Sequence, residues 1–532
     1  MVTNQVRTVP PRGEPASPPV STDRELLTSF EEDAARSRGD AAGVARPRSE
    51  AEVVALLATA TRERRSILPQ GARSSLTAGA TPRGDIVLDL EGMTDFALAA
   101  SAEGGTTARV GPGLRLRDLN ERLAPSGLWF PPVPTYDLCC MGGAVATNAA
   151  GAATFKYGPV RSWVRALRVV LATGDVVALR RGQYVADEAF VLHLARRARL
   201  VGVPRYRTPD LKKVACGYFA RPDVDLVDLF VGSEGTLGVV TEVEVDLAVR
   251  PASVVTGIAA FADERSAFAF TADARRASEE TWRTKDPAGI DVRALEWIDS
   301  PSLELLRARG KVSETEPPSR GGLVLFEQEL PPDAAAADRA LEALGAVLAR
   351  HGAEDTTRIA LPGDETSRRA ITRIREVVPE TVNDLVAERK RADPGVRKVA
   401  GDMVVPFERL EEMLGHYRAA FARRGLASAI WGHISDGNLH PNVLARTAAE
   451  AKAGDEALLE LGDIARALGG APLSEHGVGK SPTKQELLRR FYGDEAIGDM
   501  ADLKVGLDPR GVLAPGNIFP RERLRYDESW TT

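Results

Sequence analysis

Two histidines stand seven residues apart in WGHISDGNLHPN, residues 431–442, with Asp436, Gly437 and Asn438 between them. They are His433 and His440, and a second short stretch, LSEHGVGK at 473–480, sets Glu475 beside His476. Two imidazoles and a carboxylate are a donor set for zinc or a similar divalent ion, with a position left open for substrate. The spacing is neither that of a zinc finger nor that of H-E-x-x-H. The same residues therefore also read as hydrogen-bonded loop histidines. The glycine and asparagine around them suit a strand–loop–strand rather than a helix.

A second chemistry is suggested by three glycine-rich stretches: LPQGARSSLTAGATP at 68–82, MGGAVATNAAGAATFKYG at 141–158 and FVGSEGTLGVV at 230–240. In the first, consecutive backbone N–H groups with the hydroxyls of Ser74, Ser75 and Thr77 form a candidate anion cradle. The small residues of the second let backbone approach a diphosphate closely. Each alone reads equally well as a tight surface turn; three within one α/β region strengthen the ligand reading. None carries the G-x-G-x-x-G of a dinucleotide Rossmann unit.

The elements that must position these loops follow from periodicity. Helices are expected over STDRELLTSFEEDAARS and SEAEVVALLATATRERRS, the latter with Ser49 as N-cap and Glu52 three residues on. Short β-branched runs such as DIVLDL and RALRVVLATGDVVAL alternate with them up to GVVTEVEVDL near residue 250. From 251 the texture changes to long helices around GGLVLFEQEL and LASAIWGHI, a second α+β unit. Residues 1–22 are rich in Pro and Ser and read as a disordered tail. A chain of 532 residues exceeds one ordinary core. The net charge of −6, without a basic block, excludes a nucleic-acid binder. Three cysteines make no disulfide framework and point to a reducing compartment. No stretch is apolar enough to span a bilayer, so the expectation is cytoplasmic, with room for peripheral association with a membrane surface.

The ordered series PQGARSSLTAG, VGPGLRLRDLNERLAPSGLWFPPVP, GGAVATNAAGAATFKYGPVRSWVRALRVVLATGDVV and FVGSEGTLGVVTEVEV resembles the flavin domain of the vanillyl-alcohol oxidase superfamily. Farther on, GHISDGNLHPNV, SEHGVGK and LKVGLDPRGVLAPGNIF are similar to the branch holding D-lactate and D-2-hydroxyglutarate dehydrogenases and the glycolate oxidase flavin subunit. The resemblance implies an α+β fold. A two-subdomain FAD-binding domain spans 23–250, a substrate (cap) domain 251–470, a segment returning to the flavin 471–520, and a tail 521–532. It places FAD against Gln70, Gly71, Ala72, Arg73, Ser74 and Ser75, against Gly142, Gly143, Thr147 and Asn148, and against Gly235 and Gly238. With no histidine in 68–82, where covalent members attach it, the flavin is expected to be noncovalent; Cys139 and Cys140 are expected as a buried structural pair.

The same resemblance assigns His433, His440 and Glu475 to a divalent metal, zinc or manganese, His476 to the general base, and Asn442 and Arg375 to the substrate carboxylate. It implies oxidation of a D-2-hydroxy acid, D-lactate-like, to the 2-oxo acid by hydride transfer to flavin N5. Electrons would pass to a separate acceptor, a quinone, cytochrome or iron–sulfur protein, and a homodimer fits. Two departures weigh against a substrate with a distal second carboxylate. Ala400 stands where D-2-hydroxyglutarate enzymes carry lysine, with Lys398 displaced by two, and Pro379 stands where they carry threonine. The alternatives are a flavin transferase like alkyl-dihydroxyacetone-phosphate synthase, against which Glu475 argues, and a flavin subunit of a multi-subunit oxidoreductase.

Overall fold

Ser49 turns the chain into the helix Glu50–Glu63, its Oγ accepting from the Glu52 amide at 3.3 Å. The Glu52 carboxylate reaches back to the Arg48 N–H at 2.9 Å, a capping pair shifted by one residue from the usual reciprocal form. This helix joins Asp40–Ala45 to Ile67–Gln70, and both run parallel to Arg83–Asp89 between them in a four-stranded sheet. The computed structural model describes residues 3–14, 16–100, 104–195, 197–312 and 319–525.

Among the described residues two further large sheets follow. The first, mostly antiparallel, centres on Val176–Arg180, Val164–Val170 and Val239–Asp246. Gln5–Val9 lies inside it, parallel to Ala189–His193 and antiparallel to Val176–Arg180. The expectation of a disordered tail over 1–22 is therefore corrected. Val6 is buried in the core, and the Pro-rich run that follows it masks a genuine β-branched strand, QVRTV. Of the expected tail 521–532, residues 526–532 lie outside the described set.

The last sheet is antiparallel and runs Arg358–Ala360, Ser253–Ala260, Leu323–Leu330, Val292–Ile298, Ser428–His433, Asn438–Val443, Val399–Ala400. Its alternating residues bury opposite faces. Ala259, Trp297 and Phe326 pack beneath the helices Glu264–Thr284, Ala334–Arg350, Leu410–Ala422 and Ala448–Ala467. Ile258, Ile298 and Leu325 pack beneath Ser300–Ala308 and Glu365–Ala392.

After this sheet the chain returns to the first half. Leu473, Leu488, Met500 and Phe519 join the core of the middle sheet, and Leu513 bridges to Ile67 at the edge of the four-stranded sheet. Lys504 locks the return. Fully buried, it donates to Asp508 Oδ2 at 2.8 Å and to the carbonyls of Thr236 and Leu513 at 2.9 Å.

Candidate active site

The histidine stretch folds as the strand Ser428–His433, a 3-10 turn Ile434–Asp436 and the strand Asn438–Val443. Gly437 makes the turn at φ +74°, and a Cβ there would sit 2.0 Å from the Val405 carbonyl oxygen. Pairing of His433 with Asn438 and of Trp431 with His440 then brings both imidazoles to one end of the sheet. LSEHGVGK enters from the returning segment: Ser474 N–H donates to Asp402, as do the Glu475 and His476 amides at 3.0 and 2.8 Å.

Glu475 organises the cluster. Its Oε2 lies 3.2 Å from Lys213 Nζ, a fully buried lysine that also meets Asp436 at 3.0 Å. Its Oε1 faces the Nε2 atoms of His433, His440 and His476 at 3.1, 3.4 and 3.6 Å. Each Nδ1 is turned to a carboxylate: His433 to Glu296, His476 to Asp402 at 3.3 Å, and His440 to Asp402 at 3.6 Å. A metal bound at about 2.0–2.1 Å in tetrahedral geometry places its donor atoms about 3.4 Å apart. Glu475 Oε1 stands at about that spacing from each Nε2, and carboxylates behind metal-binding imidazoles orient them in this way. The donor set fits a divalent ion. Among the described residues, the group that brings one ligand atom each within 4.8 Å of one another is Asp402, His440, Glu475 and His476, which keeps two of the three expected ligands and has Asp402 and His476 in place of His433.

Burial opposes charge on His433, but Glu296 and Glu475 beside it raise its pKa to about 9. His476 is shifted the other way, lowered chiefly by loss of solvent, with Asp402 opposing the shift. It is therefore neutral and able to accept a proton. Burial likewise works against the Glu296 charge, yet Arg375 and His433 hold its carboxyl down at about 2.

Arg375 Nε lies 3.0 Å from Glu296, and its Nη2 donates to Thr135 Oγ1 at 2.7 Å. Arg373 faces solvent and pairs with Glu376 and Glu380 instead. Asn442 is buried, its Nδ2 donating to the His440 carbonyl at 2.9 Å while Oδ1 has no partner. Asp436, between the two histidines, lies against Lys213.

All six of these catalytic and metal candidates line one groove of about 2250 Å³, which also takes in Gln70, Gly71, Ala72, Arg73, Ser74 and Ser75. Gly142, Gly143, Thr147, Gly235 and Gly238 line it as well. Ordinary small-ligand pockets are about 300–1,000 Å³, so the space suits a large cofactor plus a substrate. Gly143 has open space where a Cβ would be, and Gln70 Oε1 is buried without a partner. These features fit FAD. Several of these residues also have partners within the protein. Asn148 is not on the groove wall; at φ +48° its Oδ1 accepts from the Arg161 N–H at 3.0 Å and fixes the turn. Gly142 and Gly238 admit Pro112 and Val169, which a Cβ would approach to 2.7 and 2.4 Å. Arg73 turns its guanidinium to Glu91 at 3.4 Å and over the Phe30 ring.

Sequence reasoning missed Glu234, Asp402, Glu296 and Lys213. Burial lifts Glu234 to about 7, and it ties two loops together by accepting from the Val478 and Gly479 amides at 2.7 Å. Asp402 and Glu296 sit in apolar runs, VAGDMVVP and RALEWI, where a lone acid needs a partner; that was the available signal. Cys139 and Cys140 are buried free thiols, pushed up to about 12 and about 11 chiefly by desolvation. The other histidines serve locally, His193 with Gln5 and His351 with Asp273.

Comparison with known proteins is consistent along the chain. Residues 251–518 match the family described as FAD linked oxidases, C-terminal domain, and residues 41–180 match the FAD binding domain. Glycolate oxidase subunit GlcD of Bacillus subtilis (strain 168) is 28% identical over 487 residues, covering 90% of this chain and 88% of that protein. The probable mitochondrial D-lactate dehydrogenase of Danio rerio is 28% identical over 476 residues, 89% of this chain and 83% of its own. D-2-hydroxyglutarate dehydrogenase of Stutzerimonas stutzeri (strain A1501) is 25% identical over 516 residues, 94% and 96%. A solved alkyldihydroxyacetonephosphate synthase shares the fold, with TM-score 0.60 and 14% identity over 96% of this chain and 88% of that one. Among the described residues no helix is long and apolar enough to cross a membrane.

Proposed function

The chain belongs to the FAD-linked oxidases, and on that premise we propose that it oxidises a D-2-hydroxy acid to the 2-oxo acid, metal-assisted, and passes the electrons to a separate acceptor. The observation that carries this reading is the convergence of three imidazole Nε2 atoms on Glu475 Oε1 at 3.1–3.6 Å, on the wall of the same groove as the glycine loops. When bound, FAD supplies a hydride acceptor, and a divalent ion supplies Lewis acidity toward the substrate hydroxyl.

The protein's own groups do the rest. His433, His440 and Glu475 would hold the ion, and Lys213 keeps Glu475 turned toward them. His476, neutral and backed by Asp402, takes the hydroxyl proton at Nε2. Arg375, anchored through Nε and Nη2, keeps Nη1 available for the substrate carboxylate. Asn442, buried beside His440, helps hold the substrate carboxylate through its amide. The test is anaerobic bleaching of the flavin in metal-loaded protein by a panel of D-2-hydroxy acids and their L-enantiomers. Bleaching by D-acids is expected; no bleaching by any of them defeats the reading.

A further inference from the structure

Glu296 is a carboxylate in an apolar strand, Val292–Ile298, where Leu295 and Trp297 on either side of it are fully buried. It is itself 6% exposed and lies on the groove wall between two residues that the chemistry needs. Its Oε1 meets Nδ1 of His433, and its Oε2 meets Nε of Arg375 at 3.0 Å. The contacts continue in both directions. Arg375 Nη2 donates to Thr135 Oγ1 at 2.7 Å, and His433 Nε2 stands 3.1 Å from Glu475 Oε1. Among the described residues, the contacts of Arg375 are these with Thr135 and Glu296, so its one link to the imidazole cluster is the Glu296 carboxylate.

A buried carboxylate is costly unless its oxygens find partners. An arginine alone can satisfy both, through two parallel N–H···O bonds. Here the oxygens are divided instead, one to each neighbour, so the two contacts together set the plane of the carboxylate. For His433 that contact decides which nitrogen serves an ion. An imidazole that donates Nδ1–H to Glu296 presents Nε2, the atom turned to Glu475, as the donor. For Arg375 it fixes Nε and leaves the far side of the guanidinium free.

We propose that Glu296 is a positioning residue that ties the two ends of substrate recognition together: the aim of the metal-site imidazole depends, through this one carboxylate, on the arginine that takes the substrate carboxylate. This rests on the function proposed above for the roles of Arg375 and His433. Its consequence is that a change at Arg375 alters metal affinity even with no substrate present.

The test is the dissociation constant of manganese, and in parallel of zinc, measured by chelator competition on the flavin-loaded protein without substrate. Arg375→Lys keeps the charge, so the field at the ion changes little, but it removes the planar fork that holds Glu296 and Thr135 together. The ion is expected to bind about fivefold more weakly, although residue 375 touches none of the donor atoms. Glu296→Gln is expected to weaken it about tenfold, as for the loss of a partner behind a metal-binding imidazole. The guanidinium, always charged, takes the amide oxygen; the amide N–H then faces Nδ1 and forces the imidazole proton onto Nε2. In the Glu296→Gln background, Arg375→Lys is expected to add no further loss. An unchanged constant for Arg375→Lys, or the same loss in both backgrounds, overturns the proposal. Should Glu296→Gln not fold, Glu296→Asp, too short by one methylene to reach both neighbours, takes its place as the background with the same two outcomes. Wild-type protein that takes up neither ion overturns the proposal together with the metal site. Failure of every D-2-hydroxy acid to bleach the flavin defeats the functional reading, and the metal constants, which need no turnover, still decide this one.

Discussion

At Glu475 one oxygen is taken by Lys213 and the other is met by three imidazoles, so a single carboxylate divides structural from chemical contacts. His433→Ala removes a donor and is expected to lose bound metal by elemental analysis. His476→Ala is expected to keep metal and flavin while slowing anaerobic flavin reduction about 10²–10⁴-fold, the range for a lost general base. Metal lost from His476→Ala would instead make His476 a ligand. His433, His440, Glu475 and His476 stand out in the sequence by type and by their glycine-rich loops, while the roles expected of them came from the resemblance. Glu296 and Asp402 do not stand out, since each acts through a partner far along the chain, 137 residues to His433 in the first case and 74 to the His476 amide in the second.

Elements were read well where periodicity is strong and poorly where packing partners are distant. The helix cap at Ser49 and the strand–turn–strand at 428–443 follow from local sequence. By contrast, the run around Pro379 forms one helix, Glu365–Ala392, with the proline inside it, because Ile374, Val377 and Val378 on the same helix are buried against the sheet. Gly142 and Gly238 line the groove and also admit Pro112 and Val169 closely, contacts that no local pattern reveals. The loop 233–238 is held by the buried Lys504–Asp508 pair, whose aspartate also accepts from the Val512 and Leu513 amides at 3.0 and 2.8 Å. Lys504→Met strands that carboxylate and is expected to cost about 3–5 kcal/mol, with flavin retained less tightly. Chemical denaturation and flavin release on dilution measure both; an unchanged midpoint would show that the loop is held by packing alone.

On the scale of the whole chain, the groove takes walls from loops of the first half, from the last sheet and from the returning segment. Length and the change of texture near 251 made a two-part organisation legible. The insertion of Gln5–Val9 into the middle sheet was not, because a five-residue strand carries little signal against a Pro-rich neighbour. Deleting residues 3–10 would expose two strand edges, Val176–Arg180 and Ala189–His193, and is expected to yield oligomers by light scattering. A monodisperse species of unchanged size would show that the strand is dispensable. The same placement bears on synthesis. Arg7 is registered with His193 and Thr8 with Val177, so this strand, once made, must stay unpaired until those distant partners have followed it. The nascent chain thus carries a sticky β-segment through much of its translation, and the prolines behind it are well placed to keep that segment from pairing with the wrong neighbour.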